Sequence, residues 1–395
     1  MSRYARSAAA LAGLTLAGAI LVGCASGDDG DTLVEGTPGS SSATPAITGA
    51  AEIELPASAV RTVATGLRIP WGLAFLPDGT ALVTERGNQV PTFQDDSVDA
   101  GGIARIMSVT PDGKVTEAQR LPEVDRRLGE GGLLGIAVSP NYATDKWVYI
   151  YYSATNDNRI ARLHLGQPPQ PILTGIPVSG GEGARFHQGG RLAFGPDGML
   201  YASVGETYFE SRFAQDRASL GGKILRLTPD GKPAPGNPFA NSAVWSYGHR
   251  NVQGLAWDAQ GRMYASEFGS KTYDEINLIQ PGRNYGWPVV EGFSTNPQFT
   301  NPIATWTPTS IASPSGIAVL GDHLYVACLR GQTLYRLTLD GTDPRKLLNT
   351  HGRLRTIAVA PDGSLWVTTS NRDQVGREDR LPQTPEGDRI LRITP

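Results

Sequence analysis

The sequence predicts an all-β protein, a six-bladed β-propeller, from three observations. A short pattern recurs six times after residue 71, each copy alternates apolar residues on both sides of a turn, and 48 glycines and 29 prolines supply many tight connections. With 39% hydrophobic and 18% charged residues among 395, the chain is long and apolar enough to bury a large core. A formal net charge of −3 offers no basic surface for phosphate backbones, which excludes nucleic acid as an expected partner.

Residues 1–23 read as an address rather than as structure. Arg3 and Arg6 precede an apolar run from Ala8 to Val22, which is too short and too promptly followed by polar residues for an ordinary spanning helix. The run ends in Leu21-Val22-Gly23-Cys24, which resembles the bacterial lipobox and so implies cleavage before Cys24, lipid on its thiol and an extracytoplasmic protein anchored to a membrane. A plain secretory signal or an uncleaved anchor is the alternative. Residues 24–56 are rich in Gly, Ser, Thr and Pro and are expected to form a flexible tether. With Cys24 carrying lipid, Cys328 has no disulfide partner and is expected as a small buried residue.

The propeller domain is assigned to residues 57–395. Its copies are GLAFLPDGTALVTE, GIAVSPNYATDKWVYIYY, RLAFGPDGMLYASVGE, GLAWDAQGRMYASEFG, GIAVLGDHLYVACLRG and TIAVAPDGSLWVTTS, starting at residues 72, 135, 191, 254, 316 and 356. Each reads as a β-hairpin, with β-branched and aromatic residues flanking a Pro-Asp-Gly or similar turn. A second strand signal follows every copy, from ARIMSVTPDG to RILRITP, so six hairpins become six blades. The starts lie 63, 56, 63, 62 and 40 residues apart, and the excess over a compact blade of about 40 to 50 residues is expected in loops. RILRITP is expected to complete a blade with the N-terminal segment, closing the ring and protecting its edges. An open sandwich is the structural alternative.

Loops leading into the inner strands of a propeller gather around its axis, so the polar residues there are candidates for one shared site. His187, in RFHQGGRL, departs from the repeat, and Gly189 and Gly190 leave its imidazole little steric cover. Histidine as a residue type titrates near pH ~6.5, which suits a general base, and Glu206 at the outgoing end of the same hairpin is placed to orient the ring. Arg353 and Arg355 share one side of a strand, and with Arg250 and Arg330 they present four guanidinium groups either to a polyanionic ligand or to salt bridges between blades. The stretch EFGSKTYDEINLIQPGRNYGWP combines acids with irregular turns, the oxygen-rich setting calcium prefers, without the regular D-x-D-x-D-G spacing.

In order, the motifs EGGLLGIAVSP, HQGGRLAFGPDG, GGKILRL, YGHRNVQGLAW, EFGSKTYDEINLI, GRNYGWP and GRLRTIAVAPDG resemble the soluble glucose/aldose sugar dehydrogenases of the glucose/sorbosone dehydrogenase group, which use pyrroloquinoline quinone (PQQ). The resemblance spans about residues 60 to 395. It implies a six-bladed propeller with PQQ across its top, and His187 as the base that removes the sugar hydroxyl proton while hydride passes from the anomeric carbon to the quinone. Glu206 would support that histidine. The same resemblance places Arg250 and Asn251 beside the quinone, Arg353 and Arg355 on its carboxylates, Arg330 where Lys is common, and Glu130 at a cofactor and substrate position often held by Gln. Active-site Ca²⁺ is implied at the Gly269 and Ser270 backbone and a second Ca²⁺ at Glu275 and the backbone of Tyr285, while Trp306 is a candidate either for a substrate wall, since aromatic faces pack on sugar rings, or for the core. Aldose sugars and a separate external electron acceptor follow as partners. A calcium-dependent propeller lactonase and a non-enzymatic propeller lipoprotein that binds glycans or proteins are the competing expectations.

Overall fold

In the computed structural model the described residues are 46–87, 102–125, 129–178, 186–373 and 387–394; the leader, Cys24 and most of the tether lie outside them. Six antiparallel sheets are present, as the repeat predicts. Blade 1 consists of Pro70–Phe75, Ala81–Glu85, Ala104–Val109 and Val115–Leu121, and blade 2 of Leu133–Val138, Val148–Ser153, Asn158–Leu163 and Gln170–Ile176. Blade 3 follows with Leu192–Phe194, Leu200–Val204, Lys223–Leu227 and Val244–Tyr247, and blade 4 with Val252–Trp257, Met263–Glu267, Asp274–Ile279 and Ala304–Trp306. Pro314–Leu320, His323–Cys328, Leu334–Thr338 and Arg345–Leu348 make blade 5. Blade 6 joins Leu354–Val359, Leu365–Thr369 and Asp388–Ile393 to the N-terminal strand Val60–Leu67.

That last pairing is the expected closure. Val60 lies opposite Ile393 and Leu67 opposite Asp388, so the outer strand of blade 6 comes from the start of the domain. Innermost strands touch in sequence order, and that of blade 6 returns to that of blade 1. Buried apolar side chains gather at each seam between neighbours, for example Tyr149 and Leu192 between blades 2 and 3, or Leu365 and Leu334 between blades 5 and 6. Cys328 is fully buried in the seam of blades 4 and 5, and burial, with the nearby charge of Asp274, pushes its thiol pKa well up.

The repeat's small residue and its hydroxyls have a shared physical cause, the crowding of inner strands at the axis. A Cβ on Gly135 would lie 2.1 Å from the carbonyl oxygen of Gly190 in the next segment, and one on Gly254 would lie 2.5 Å from that of Ser315. Thr84 Oγ1 accepts from Gly72 N at 2.8 Å and donates to Leu134 O at 2.6 Å, stitching blade 1 to blade 2. Ser203 repeats this device, accepting from Arg191 N and donating to Val252 O, both at 2.9 Å, and Ser266 donates to Ser315 O. Arg191 breaks the small-residue rule, because its side chain reaches to the axis instead.

The tether ends earlier than the sequence suggested. Ile47 is buried against blades 4 and 5, with its N–H on Thr305 O at 2.7 Å, and Ala51–Glu52 pairs in parallel with Arg345–Leu348. Residues 46–56 therefore run along the outside of the ring, since one isoleucine in the right place finds an apolar seam that composition averaged over 33 residues, 24 to 56, conceals.

Candidate active site

In each blade the first strand begins where the second ends, at one rim of the ring. Segments before first strands carry Glu130, His187, Arg250, Asn251 and Arg353; segments after second strands carry Arg86, Glu206, Gly269, Ser270, Arg330 and Asp373. Topology alone brings these distant residues to the same end.

His187 is 8% exposed and has φ of +50°. Its backbone N–H donates to Glu130 Oε2 at 2.9 Å, and its carbonyl lies so close to Gly205 that a Cβ there would stand 2.0 Å away. Nδ1 is 3.0 and 3.1 Å from the two oxygens of Glu206. A carboxylate only accepts, so the neutral imidazole carries its proton on Nδ1 and keeps its lone pair on Nε2. Glu206 is itself fixed, its N–H donating to Arg250 O at 2.9 Å and its Oε2 accepting from Tyr208 N. Beneath the loop, Asn158 Nδ2 donates to Gln188 Oε1 at 2.8 Å and Tyr151 OH to Gln188 O at 3.0 Å, so blade 2 braces the histidine's neighbour.

A second histidine and glutamate pair, which the sequence reading missed, lies next to it. His249 Nδ1 is 2.9 Å from Glu267 Oε2, its Nε2 is 2.8 Å from Ser246 Oγ, and its ring stacks on Tyr285 with centroids 4.6 Å apart. His249 is fully buried, so this pair works as a brace: Glu267 Oε1 also accepts from Arg250 N. The signal was present as the same His and second-strand Glu recurring one blade later. Arg250 Nη1 reaches Gly269 O at 2.7 Å and Phe268 O at 3.2 Å, while its Nε is buried without a partner. Asn251 Oδ1 accepts from Gly189 N at 3.1 Å and from Gln253 Nε2 at 2.9 Å, and its Nδ2 is likewise buried without a partner.

Toward the axis, positive charge accumulates. Asp373 forms a bidentate pair with Arg86, at 3.0 and 3.1 Å, and accepts from Arg355 Nη2 at 2.8 Å. Burial opposes ionisation of Asp373, but the charges of Arg86, Arg355 and Arg353 outweigh it and hold the carboxyl far below the usual range. Arg191 lies 4.4 Å from the centroid of the Trp71 ring and Arg355 5.6 Å from it, and Arg191 Nε donates to Gln253 O at 2.8 Å. Burial, and then the charge of Arg355, lower the Arg191 pKa to about 9. Arg353 is buried at the same rim, its N–H on Asn371 Oδ1 at 2.8 Å, and Arg330 is exposed just beyond the second strand of blade 5.

Behind Arg250 a narrow cavity is lined by Glu267, Gly269, Glu275, Tyr285 and Glu291 among others. Burial, then the charge of Glu267, raises the Glu275 pKa well above the carboxylate range. Glu275 accepts from Gly292 N at 2.7 Å and from Asn277 Nδ2 at 3.0 Å. Glu291 Oε1 accepts from the N–H groups of Ser270, Lys271, Thr272 and Tyr273 at 2.6 to 3.2 Å, which shapes the turn holding Gly269 and Ser270. Glu291 Oε2 and Asn277 Oδ1 are buried acceptors without partners.

Trp306 lies apart from this rim, and the core alternative applies to it rather than the substrate wall. Trp306 has 0% exposure and packs on Tyr335, ring centroids 5.4 Å apart, so it belongs to the seam of blades 4 and 5 and faces no site. An aromatic residue type carries no information about which side of an outer strand it occupies.

The sequence model of the Glucose / Sorbosone dehydrogenase family matches residues 67–377. An aldose sugar dehydrogenase of Escherichia coli, YliI, is 30% identical over 76% of this chain and 86% of its own length. The quinoprotein glucose dehydrogenase B of Acinetobacter calcoaceticus is 31% identical over 59% of this chain and 53% of that protein. Among solved structures, the PQQ-bound form of an aldose sugar dehydrogenase from Streptomyces coelicolor superposes with a TM-score of 0.74 at 48% identity, covering 84% of this chain and 97% of that one. A family match across most of the ring, joined to a rim that gathers the residues of the ordered motifs, identifies the chain as a member of the glucose/sorbosone dehydrogenase family.

Proposed function

We propose that this protein is a PQQ- and Ca²⁺-dependent aldose dehydrogenase that oxidises the anomeric C1 hydroxyl to the lactone and passes electrons to a separate external acceptor. The observation that carries the reading is His187, with Nδ1 committed to Glu206 and Nε2 left as the proton acceptor, beside an electropositive rim. Relatives named for PQQ, quinoprotein and aldose chemistry support it.

The residues present fit a quinone tricarboxylate. Arg250 Nε and Asn251 Nδ2 are buried donors without partners, and Asp373 is a single carboxylate set against Arg86, Arg355 and the neighbouring Arg353. Arg353, Arg355 and Arg330 would meet carboxylates, and Arg250 and Asn251 the ring oxygens. When bound, the quinone supplies the two-electron acceptor. His187 takes the hydroxyl proton at Nε2 as the C1 hydrogen departs, and Glu206 favours the imidazolium that results. Glu130, whose Oε2 holds the His187 backbone, fixes the ring's approach.

A cation also fits. Glu275 and Glu267 crowd one buried site, and Glu291 Oε2 and Asn277 Oδ1 offer unpaired acceptors there. Ca²⁺ would take Glu275 with the backbone of Tyr285, and a second ion the carbonyls at Gly269 and Ser270 together with cofactor oxygens. The active-site ion would polarise the quinone.

Reconstitution tests the whole reading. Apoprotein with PQQ and Ca²⁺ is expected to reduce an artificial acceptor when given an aldose, and Ca²⁺ at 100 times its Kd is expected to stabilise the fold by about 2.7 kcal/mol, less in Glu275→Gln. Lactone hydrolysis without quinone, or a quinone titration with no absorbance change and no thermal protection, would replace it with a lactonase or a binding module. Lipid attachment at Cys24 and an extracytoplasmic, membrane-anchored location are part of the same proposal. Cys24→Ser is expected to move the protein from the membrane to the soluble fraction, and an unchanged distribution refutes the anchor.

A further inference from the structure

The repeat opens on a small residue in five blades: Gly72, Gly135, Gly254, Gly316 and Thr356 stand where blade 3 has Arg191. Crowding dictates the small residues, since a Cβ on Gly72 would lie 2.8 Å from Leu134 O and one on Gly316 2.8 Å from Arg355 O. Arg191 escapes this crowding by turning inward. Its guanidinium lies 4.4 Å from the centroid of Trp71 in blade 1, its Nε donates to Gln253 O in blade 4 at 2.8 Å, and Arg355 of blade 6 lies 5.6 Å from the same indole. Blades 1 and 4 face each other across the ring, as do blades 3 and 6, so side chains from all four meet only on the axis.

Positive charge exceeds negative there. Arg86 and Arg355 share the carboxylate of Asp373, and Glu130, the other acid that acts on Arg355, has Oε2 committed to the His187 backbone. No carboxylate among the described residues pairs with Arg191, whose pKa of about 9 still leaves it cationic at neutral pH. Arg191 is 8% exposed, and its Nη2 is buried without a hydrogen-bond partner. The face of Trp71 attracts the cation but supplies no acceptor in the plane of the fork. A dry guanidinium with an idle N–H is unfavourable, and Arg355 beside it adds to the repulsion.

We propose that Arg191 holds a small monovalent anion of the halide class on the propeller axis, which accepts from Nη2 and balances the charge of Arg191 and Arg355. Nε and Nη2 form the side of a guanidinium that grips a carboxylate or phosphate with two parallel bonds, and here Nε is already committed to a backbone carbonyl. One prong remains, which suits a spherical acceptor. The low dielectric of the axis favours an anion over a neutral water at that prong. Arg191 is not among the groups proposed for the quinone, so the site goes beyond the dehydrogenase reading and does not depend on it.

The test melts the PQQ- and Ca²⁺-loaded protein while chloride replaces methanesulfonate at constant ionic strength. Tm is expected to rise saturably, by roughly 3 to 5 °C at 100 times the chloride Kd, whereas screening alone follows ionic strength and not the identity of the anion. In Arg191→Met the chloride-specific rise is expected to vanish. Wild-type crystals soaked in bromide give a readout that needs no variant to fold, and an anomalous peak is expected within hydrogen-bonding reach of Arg191 Nη2. Absence of that peak overturns the site, and so does a chloride effect that survives in folded Arg191→Met. A chloride effect seen in the apoprotein and abolished by PQQ overturns it too, because the ion would then stand in for a cofactor carboxylate. If the wild-type protein takes up no PQQ, the dehydrogenase reading has failed, and the bromide soak of the apoprotein still decides the axial site.

Discussion

In the PQQ- and Ca²⁺-loaded protein, His187→Ala is expected to lower kcat for aldose oxidation by about 10²- to 10⁴-fold, the range spanned by a positioned general base. The magnitude follows from how completely the ring is prepared. Its Nδ1 is held by both oxygens of Glu206, its backbone by Glu130, and its loop by Asn251 and the blade 2 network, so Nε2 has one orientation. Alanine removes the acceptor and leaves Glu206 with a vacant oxygen, which solvent at the rim can satisfy. Quinone binding, followed by absorbance, should persist, because the donors proposed for it, Arg250, Asn251, Arg330, Arg353 and Arg355, sit on blades 4 to 6. Steady-state turnover with an artificial acceptor measures the loss, and undiminished turnover would remove His187 from the chemistry. Glu206→Gln should produce a smaller fall, since an amide keeps the shape but no longer favours the imidazolium.

Asp373→Ala is expected to cost about 3 to 5 kcal/mol of stability, as buried ion pairs do when one partner is deleted, and to lower Tm by on the order of 10 °C. Arg86 and Arg355 both lie within 3.1 Å of this carboxylate and both are buried, so removal strands two guanidinium groups beside Arg191. The folded carboxyl is held below its unfolded value of about 3.9. Its contribution is therefore fully present above that pH and is lost as pH falls toward the depressed folded value, where the unfolded chain binds the extra proton. Melts at pH 3, 5 and 7 should show the gap between wild type and Asp373→Ala narrowing only at the most acidic point. A gap that is constant across the series would mean that the three groups are not electrostatically coupled.

The blades were legible because period-two alternation around Pro-Asp-Gly is a local code, read within 16 residues, as in RLAFGPDGMLYASVGE. His187 was legible as a departure from that code, and Glu206 as the end of the same hairpin. Asp373 was not: its partner Arg86 is 287 residues away in sequence, and nothing near either residue distinguishes it from an ordinary surface charge. Gln253 escaped for the same reason, although it links Asn251 to the backbone and side-chain contacts of two axial arginines. Trp306, left open between site and core, and Ile47, assigned to the tether, were not decided by local sequence. Both are decided by the seam between blades 4 and 5, a surface that exists only once the ring has formed.

The joint between Val60–Leu67 and Asp388–Ile393 makes blade 6 the clasp of the ring. A nascent chain carries its first strand unpaired through the synthesis of five blades, with an exposed edge and half of one seam waiting for a partner more than 300 residues away. The ring is therefore assembled open and sealed last, and the axial charges reach their final spacing only at that moment.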